Sequence, residues 1–390
     1  MATGIYIHLP FCRVHCAYCP FAVSTNIGLQ DEYADALVRE IDQRATGEAV
    51  DTLFFGGGTP SRTSRKNLSR VVDALRRSFA FRHPESAKRD EGSRDATSVA
   101  FGDPSSSSRL RMTEIEFSLE ANPEDITPGA IDFWRELGVN RLSVGVQSFH
   151  DAELRPLGRV HGRERALEAL RDAVDSGIRT SLDLILGLPN QTPASFRETL
   201  EIAVASGVGH LSLYLLDLEE GTALARQVGN GRMALPDEDD VAALYVEAVE
   251  RLGAAGLEQY EISNFGDPCL HNLGYWRRET YLGFGLAAHS FAGERRFANT
   301  RDMARYLAGA RGPELDEALG PAEQRRETIF LRLRQSAGIS YDDVVQLCGE
   351  EGIEWMARGL QDGWLRRDGA RVAFTPAGFL LSNEYISQLF

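Results

Sequence analysis

Apolar and polar positions follow two alternating periods along the first two-thirds of the chain. Short apolar runs predict strands, and longer amphipathic runs between them predict helices. The predicted strands are Gly4–Leu9, Asp51–Phe55, Glu114–Glu120, Asn140–Val146, Thr180–Leu186 and Leu211–Leu216. The predicted helices are Asp31–Arg44, Ser64–Phe79, Gly129–Leu137, Arg163–Ser176 and Pro193–Ala205. This alternation is typical of repeated βαβ units around a parallel sheet.

Polar residues that stand at the carboxyl ends of several of these strands sharpen the fold class. Functional groups gather at that end of a (β/α) barrel, so we predict an α/β protein built as a full or partial (β/α) barrel. The alternative is a doubly wound open sheet. Its usual glycine fingerprint, GxGxxG between a strand and a helix, does not occur in the chain.

The last third changes character and predicts two further parts. A helix over Asp237–Ala254 leads into an aromatic-rich segment that ends near Phe297. From Arg325 onward, helices and a two-stranded hairpin resemble a C-terminal α+β winged-helix-like module. We therefore expect a core over residues 1–235, an extension over 236–310 and a C-terminal domain over 311–390.

One stretch of the core, Arg82–Arg111, breaks the strand–helix alternation. It is rich in Ser, Arg, Asp and Glu and has few apolar residues. Such a composition buries too little apolar surface to order a chain, so we expect a flexible insertion there. No function is assigned to it.

Charge and hydropathy exclude some classes of partner. The net charge of −15 disfavours binding to nucleic acid. No run of 18 apolar residues occurs, so no integral membrane segment is expected, although peripheral contact with a membrane stays open. The first residues carry no basic region followed by an apolar one, which favours the cytoplasm over secretion.

Three of the five cysteines, Cys12, Cys16 and Cys19, form the pattern C-x3-C-x2-C. An odd number of cysteines with three inside eight residues indicates a metal or cluster site more than a disulfide framework. Three thiolates on one loop can each take one iron of a [4Fe–4S] cluster, which leaves one iron open. A zinc site completed by His8 or His15 is the alternative.

This cysteine pattern resembles the signature of the radical S-adenosylmethionine (SAM) superfamily. The segment Phe55-Gly56-Gly57-Gly58-Thr59-Pro60, which follows the second predicted strand, resembles the glycine motif of the same superfamily. Glycines let a backbone approach a ligand closely. The resemblance implies a [4Fe–4S] cluster on Cys12, Cys16 and Cys19, with SAM on the open iron.

Within the superfamily, the chain is similar to the group around oxygen-independent coproporphyrinogen III dehydrogenase. Matching segments run from Tyr6 to Cys12 and include Leu119–Pro123, Gly145–Phe149 and Asp183–Pro189. The resemblance implies SAM contacts at Tyr6, Gly57, Gly58, Thr59, Glu120, Gln147, Arg159 and Asp183. The alternative is a structural network of arginine and acidic side chains.

That group includes two branches that match the chain, the dehydrogenase and the HemW heme chaperone branch. The dehydrogenase has a further cysteine two places after the third, where this chain has Phe21. The segment His271-Asn272-Leu273-Gly274-Tyr275-Trp276 matches H-N-x-x-Y-W, which is typical of the chaperone branch. The resemblance therefore implies heme as a ligand, with His271 as its axial ligand and His289 as a second candidate. Pro20 departs from the Asp or Asn that is usual after the third cysteine.

The expected function is that of a carrier that binds heme and transfers it to an unknown acceptor protein. No catalytic residue is assigned, and whether the chain is also an enzyme stays open. The alternative is a radical SAM decarboxylase that acts on coproporphyrinogen III. A third hypothesis is a radical enzyme with another substrate.

Overall fold

The computed structural model describes residues 3–45, 47–81, 115–309 and 313–389. The insertion predicted at Arg82–Arg111 lies outside these ranges. In chain order the strands are β1 Thr3–Leu9, β2 Ala49–Val50, β3 Thr52–Gly57, β4 Ala80–Phe81, β5 Glu116–Ala121, β6 Arg141–Gln147, β7 Arg179–Leu186, β8 His210–Leu215, β9 Asn264–Gly266, β10 Thr280–Phe284, β11 His289–Ala292, β12 Arg295–Ala298, β13 Leu315–Ala318, β14 Ile339–Ser340, β15 Leu365–Asp368 and β16 Arg371–Phe374.

The α-helices of the described ranges are numbered here in the same way. They are α1 Gln30–Arg44, α2 Arg65–Ser78, α3 Pro128–Glu136, α4 Asp151–Leu154, α5 Arg163–Asp175, α6 Pro193–Ala205, α7 Ala223–Gly229, α8 Glu238–Ala254, α9 Leu270–Trp276, α10 Met303–Leu307, α11 Pro321–Leu333, α12 Tyr341–Gln361, α13 Pro376–Leu380 and α14 Ser382–Ser387. Local sequence explains several starts. Thr127 and Thr192 cap α3 and α6 by accepting a backbone N–H, and each is followed by a proline, which suits the first helical position.

One large sheet organises the described residues, in the order β13-β12-β11-β10-β1-β3-β5-β6-β7-β8-β9. The strands from β10 to β8 run parallel, and the strands added at each side are antiparallel. Within the described ranges the two outermost strands, β13 and β9, do not pair with each other. The sheet is therefore open. Of the full and the partial (β/α) barrel that the sequence predicts, the partial barrel is the form observed.

The two faces of the sheet differ in chemistry. One face carries Ile5, Ile7 and Leu9 and is fully packed into the apolar core with the helices. Because strand side chains alternate in direction, the other face carries the intervening residues, several of which are polar or small. Pairing of β5 with β6 sets Glu120 beside Ser143, and pairing of β6 with β7 sets Gly145 beside Asp183. The acids that interrupt apolar strands in the sequence therefore share this inner face.

The C-terminal helices pack on a small antiparallel sheet of order β14-β16-β15. Its β15–β16 hairpin turns at Gly369 and Ala370, as the sequence predicts, and Trp355 of α12 lies fully buried behind it. This agrees with an α+β module. The domain limits at 235 and 310 stay a prediction. The main sheet includes β9 to β12 from the middle part and β13 from the predicted C-terminal part.

Candidate functional site

The loop after β1 brings Cys12, Cys16 and Cys19 to the carboxyl end of the parallel strands. The loop is held by backbone hydrogen bonds, including one from Cys12 N to Ser24 O at 3.0 Å and one from Ala17 N to Leu157 O at 2.9 Å. All three thiols are free and line one cavity of about 530 Å³. That volume lies within the range of pockets that enclose a small molecule.

The surroundings of the thiols fit an iron–sulfur cluster. Thr59 Oγ1 donates to Cys12 Sγ at 3.4 Å, and Arg159 Nη1 lies 3.8 Å from Cys16 Sγ. Such donors stabilise thiolates, which are the form that binds iron. Burial raises the pKa of the metal-free Cys12 thiol to about 11, so iron has to displace the proton.

A single zinc ion fits this loop less well. His8 Nε2 is engaged with Ala22 O at 2.9 Å, and His15 Nε2 with Cys19 O at 3.1 Å. Both histidines would have to leave these partners to complete a zinc site.

The glycine segment at the end of β3 is required by packing within the protein. A Cβ on Gly58 would lie 2.5 Å from the carbonyl carbon of Pro10, and one on Gly57 would lie 2.5 Å from His8 Nδ1. Gly57 also has a φ of 109°, which favours glycine. The sequence predicts that these glycines allow a ligand to approach the backbone closely. Packing within the protein is a second reason for glycine at these positions. The glycines let β3 pack against β1 and bring Thr59 to Cys12.

Glu120 and Asp183 are two buried acids that line the same cavity. Glu120 Oε2 accepts a hydrogen bond from Gly57 N at 3.1 Å, and Asp183 accepts one from Ser143 Oγ at 2.8 Å. Burial raises the pKa of Glu120 to about 8, and the nearby Asp183 makes a smaller contribution to the same shift. Burial also raises the pKa of Asp183, against its hydrogen bonds. Acids held in this way attract a cation or a ligand rich in hydrogen-bond donors.

Gln147 and Arg159 complete the wall of the cavity. Gln147 ends β6 with a φ of 70°, next to an irregularity in the pairing with β7. Backbone conformations of this kind are costly and are often found at functional sites. Arg159 is bound to Gly145 O and to Asn122 Oδ1, the latter at 2.7 Å, while its Nε is buried without a hydrogen-bond partner. That N–H is a spare donor beside the cavity.

The structure thus brings most of the predicted site residues to one cavity. These are Cys12, Cys16, Cys19, Gly57, Gly58, Thr59, Glu120, Gln147, Arg159 and Asp183. Sequence reasoning missed Asn122 and Ser143 as individual lining residues. Asn122 follows β5 directly, so its place after a strand was a usable signal. Ser143 lies inside β6 and gives no such signal.

Tyr6 does not line this cavity. Its ring stacks on Phe54 with centroids 6.2 Å apart, and its hydroxyl lies 3.3 Å from His8 Nδ1. It therefore supports the strand and the histidine beneath the glycine segment. Direct contact between Tyr6 and a ligand stays a prediction.

His271 lies at the opposite, amino end of the strands. Its Nδ1 is hydrogen-bonded with Thr52 Oγ1 and its Nε2 with the Tyr275 hydroxyl, both at 2.8 Å, and its ring stacks on Phe54. Burial lowers its pKa to about 3, so it is neutral. Strand rise places it roughly 16 Å from the glycine end of the sheet. His289, the second candidate ligand, is exposed at the start of β11.

Comparison with known proteins gives the class to which this fold and site belong. The model of the radical SAM superfamily matches residues 6–203, and a model described as the HemN C-terminal domain matches residues 319–381. The solved structure of coproporphyrinogen III oxidase (HemN) from Escherichia coli superposes with a TM-score of 0.79 at 24% identity, over 100% of this chain and 90% of that one. The chain is a radical SAM protein, and that class implies a [4Fe–4S] cluster and SAM.

Within that superfamily the chain belongs to the HemW family. It is 32% identical to the protein named heme chaperone HemW from Synechocystis sp., over 100% of this chain and 97% of the relative. It is 33% identical to heme chaperone HemW from Bacillus subtilis, over 97% of both. The radical SAM domain-containing protein 1 of Mus musculus, described as mitochondrial, is 33% identical over 87% of this chain and 74% of its own length. No helix among the described residues is long and apolar enough to cross a membrane.

Proposed function

We propose that this protein is a heme chaperone, which binds heme and passes it to an acceptor protein while it carries a [4Fe–4S] cluster with exchangeable SAM. The observation that carries the proposal is Phe21, 62% exposed at the rim of the cluster cavity. It stands where the related dehydrogenase has a cysteine. The names of the full-length relatives and the H-N-x-x-Y-W segment support the same choice.

In this proposal the cluster is held by Cys12, Cys16 and Cys19, and SAM is held by the cavity beside it. The cluster, when bound, supplies one electron at a time to a ligand on its open iron. The chain itself supplies the polar surroundings. Glu120 and Asp183 would face the cationic part of SAM, since burial raises the pKa of both acids and a cation in the cavity would offset that shift.

Arg159 has a positioning role in the same proposal. It links the cysteine loop to β6, because one guanidinium contacts Cys16 Sγ, Asn122 Oδ1 and Gly145 O. Its remaining Nε–H points to a hydrogen-bond acceptor in the ligand. A carboxylate, such as that of methionine, is the kind of group that arginine pairs with best.

The heme part of the proposal assigns the axial ligand to His271. A neutral imidazole is the form that ligates iron, and burial keeps this ring neutral. Both ring nitrogens already have partners, so ligation through Nε2 requires the Tyr275 hydroxyl to move away. Heme binding should therefore include a local rearrangement of α9 and should be slower than a diffusional encounter.

Heme titration of the cluster-reconstituted protein tests the proposal. We expect about one heme per chain, and His271→Ala should change both the affinity and the spectrum of the bound heme. His289→Ala is the comparison variant, because His289 is the second candidate ligand and lies exposed at the start of β11, outside α9. Unchanged heme binding in His271→Ala, with loss in His289→Ala, would move the axial ligand to β11. No saturable heme binding in the unmodified protein would refute the chaperone function itself.

A further inference from the structure

A second cavity, of about 560 Å³, lies between the inner face of the sheet and the C-terminal module. Its walls come from the end of β8, the segment around Glu261, helix α9 and helix α13. Aromatic side chains form much of the lining, namely Tyr214, Tyr245, Tyr275, Trp276 and Phe379. A large apolar cavity with a few polar groups is the usual form of a small-molecule site.

Part of the H-N-x-x-Y-W segment lines the second cavity, and this part does not line the cluster cavity. Asn272, Tyr275 and Trp276 line it, whereas His271 does not. On a helix, positions one, four and five after His271 lie around the same turn, so the motif forms one wall. The hydroxyl of Tyr275 connects that wall to His271 Nε2 at 2.8 Å.

Polar atoms without partners mark the cavity as a built site. Glu261 is fully buried, with the Asn264 and Trp276 side chains beside its carboxyl group, and Asn264 Oδ1 lacks a hydrogen-bond partner. Arg334 is only 8% exposed, and its Nε also lacks one. Among the described residues, Glu261 acts on Arg334 through its charge but does not approach it closely enough to form an ion pair. Buried groups in this state are costly unless a ligand satisfies them.

The guanidinium of Arg334 is held in place by its own contacts. It lies over the Phe330 ring at 4.3 Å, and its Nη2 is hydrogen-bonded to Asn383 Oδ1. A fixed guanidinium is a good partner for a carboxylate. Burial lowers the pKa of Arg334, and the nearby Glu261 offsets that shift only in part, so a carboxylate of a ligand would oppose it further.

The second cavity adjoins the cluster cavity along one strand end. Tyr214, Leu215 and Asp217 line both cavities. Tyr214 and Leu215 are 43% and 40% exposed, so both side chains can contact a ligand in either cavity. A ligand in the second cavity would therefore lie next to the cluster cavity.

We infer that the second cavity is the heme-binding cavity: the ring lies against Tyr275 and Trp276, one propionate pairs with Arg334, and Tyr275 leaves His271 when the ring enters. This inference rests on the proposed heme function and deepens it. It explains why the motif keeps two aromatic residues after the histidine. It also gives the buried Arg334 a ligand group of opposite charge.

Two ligands separate the ring from its carboxylates, namely hemin and hemin dimethyl ester. Arg334→Met should weaken hemin binding by about 10- to 100-fold, because a charged hydrogen bond is lost, and should leave the ester unaffected. Arg332→Met is the matched control. Arg332 precedes Arg334 by two residues, is 46% exposed and pairs with Asp343 at 3.2 Å.

A substitution that fills the cavity tests the position of the ring. Leu380→Trp should weaken both ligands, whereas Leu381→Trp, at an exposed neighbouring position outside the lining, should weaken neither. Thermal unfolding and iron content show that each variant is folded and loaded. If folded Leu380→Trp binds both ligands as the unmodified protein does, heme lies elsewhere. If Arg334→Met weakens both ligands equally, or neither, the carboxylate pairing is wrong.

The inference and the proposed function fail in different ways. If the unmodified protein binds neither hemin nor its ester, the chaperone function is refuted, and the cavity assignment falls with it. If the unmodified protein binds hemin but every cavity variant does so equally well, only the cavity assignment is refuted.

Discussion

The two ends of the parallel strands show how differently one sheet can present polar groups. At the carboxyl end, Glu120 and Asp183 face a cavity, and burial raises the pKa of both acids. At the amino end, His271 is buried with both ring nitrogens engaged. The first end is arranged for a ligand before the ligand arrives. The second is closed and has to open before it can bind anything.

The largest expected effect concerns the cluster site at the carboxyl end of the strands. Cys16→Ser removes one of three cluster ligands, and we expect reconstituted iron and sulfide to fall to a small fraction of the unmodified level. Cys269→Ser is the matched control, because Cys269 is buried beside Glu116 and lies outside the cavity. Iron and acid-labile sulfide analysis measures both. Full cluster content in Cys16→Ser would contradict the ligand set.

The second effect concerns pH and the acid at that end. The pKa of Glu120 is about 8 in the folded chain and near 4.5 when unfolded. The neutral acid therefore contributes stability that is complete below about pH 4.5 and is lost as the pH rises through 8. The loss amounts to at most about 4 to 5 kcal/mol, at about 1.4 kcal/mol per pKa unit.

Glu120→Gln should remove this pH dependence between pH 4.5 and 8. Denaturant unfolding across that range, with both chains in the same cofactor state, measures the difference. Glu136→Gln, on the exposed side of α3, should keep the slope of the unmodified protein. An unchanged slope in Glu120→Gln would show that this acid is ionised throughout.

The third effect tests why the glycine segment is glycine. Gly58→Ala should lower the free energy of unfolding by about 1–3 kcal/mol, because the new Cβ meets the Pro10 backbone at 2.5 Å. Gly229→Ala is the control, since a Cβ there meets nothing within 4 Å and Gly229 ends helix α7. If the two variants are equally stable, packing is not what requires glycine at Gly58.

The smallest expected effect concerns the environment of His271 at the amino end of the strands. Thr52→Val removes the partner of His271 Nδ1 and should cost about 1 kcal/mol of stability while cluster content stays the same. Thr199→Val is the control, because Thr199 is also buried and its hydroxyl has no hydrogen-bond partner. Equal stabilities for the two valine variants would mean that the Thr52 contact contributes nothing net.

The same contrast explains what could be predicted from the sequence. The carboxyl end follows from local signals, since Cys12, Glu120 and Asp183 lie in or directly after apolar strands, and the six predicted strands agree with β1, β3, β5, β6, β7 and β8 to within a few residues. The burial of His271 does not follow, because its partners Thr52 and Phe54 are more than 200 residues away along the chain.

Strand β10 shows the same limit. Thr280–Phe284 pairs in parallel with β1, more than 270 residues earlier, and its short run, interrupted by Gly283, carries little pattern of its own. Gly57 and Gly58 were interpreted from sequence as room for a ligand. The neighbours that require them, His8 and Pro10, become visible only once β1 and β3 are paired.

The most direct test of the account uses the cluster-reconstituted protein with SAM and reductant under anaerobic conditions. Hemin and coproporphyrinogen III are offered in parallel reactions, and bound heme and protoporphyrinogen IX are measured. The account predicts saturable binding of about one heme per chain and no more than one equivalent of product. Multiple turnovers to protoporphyrinogen IX without stoichiometric heme binding would contradict it, and would make the protein a decarboxylase.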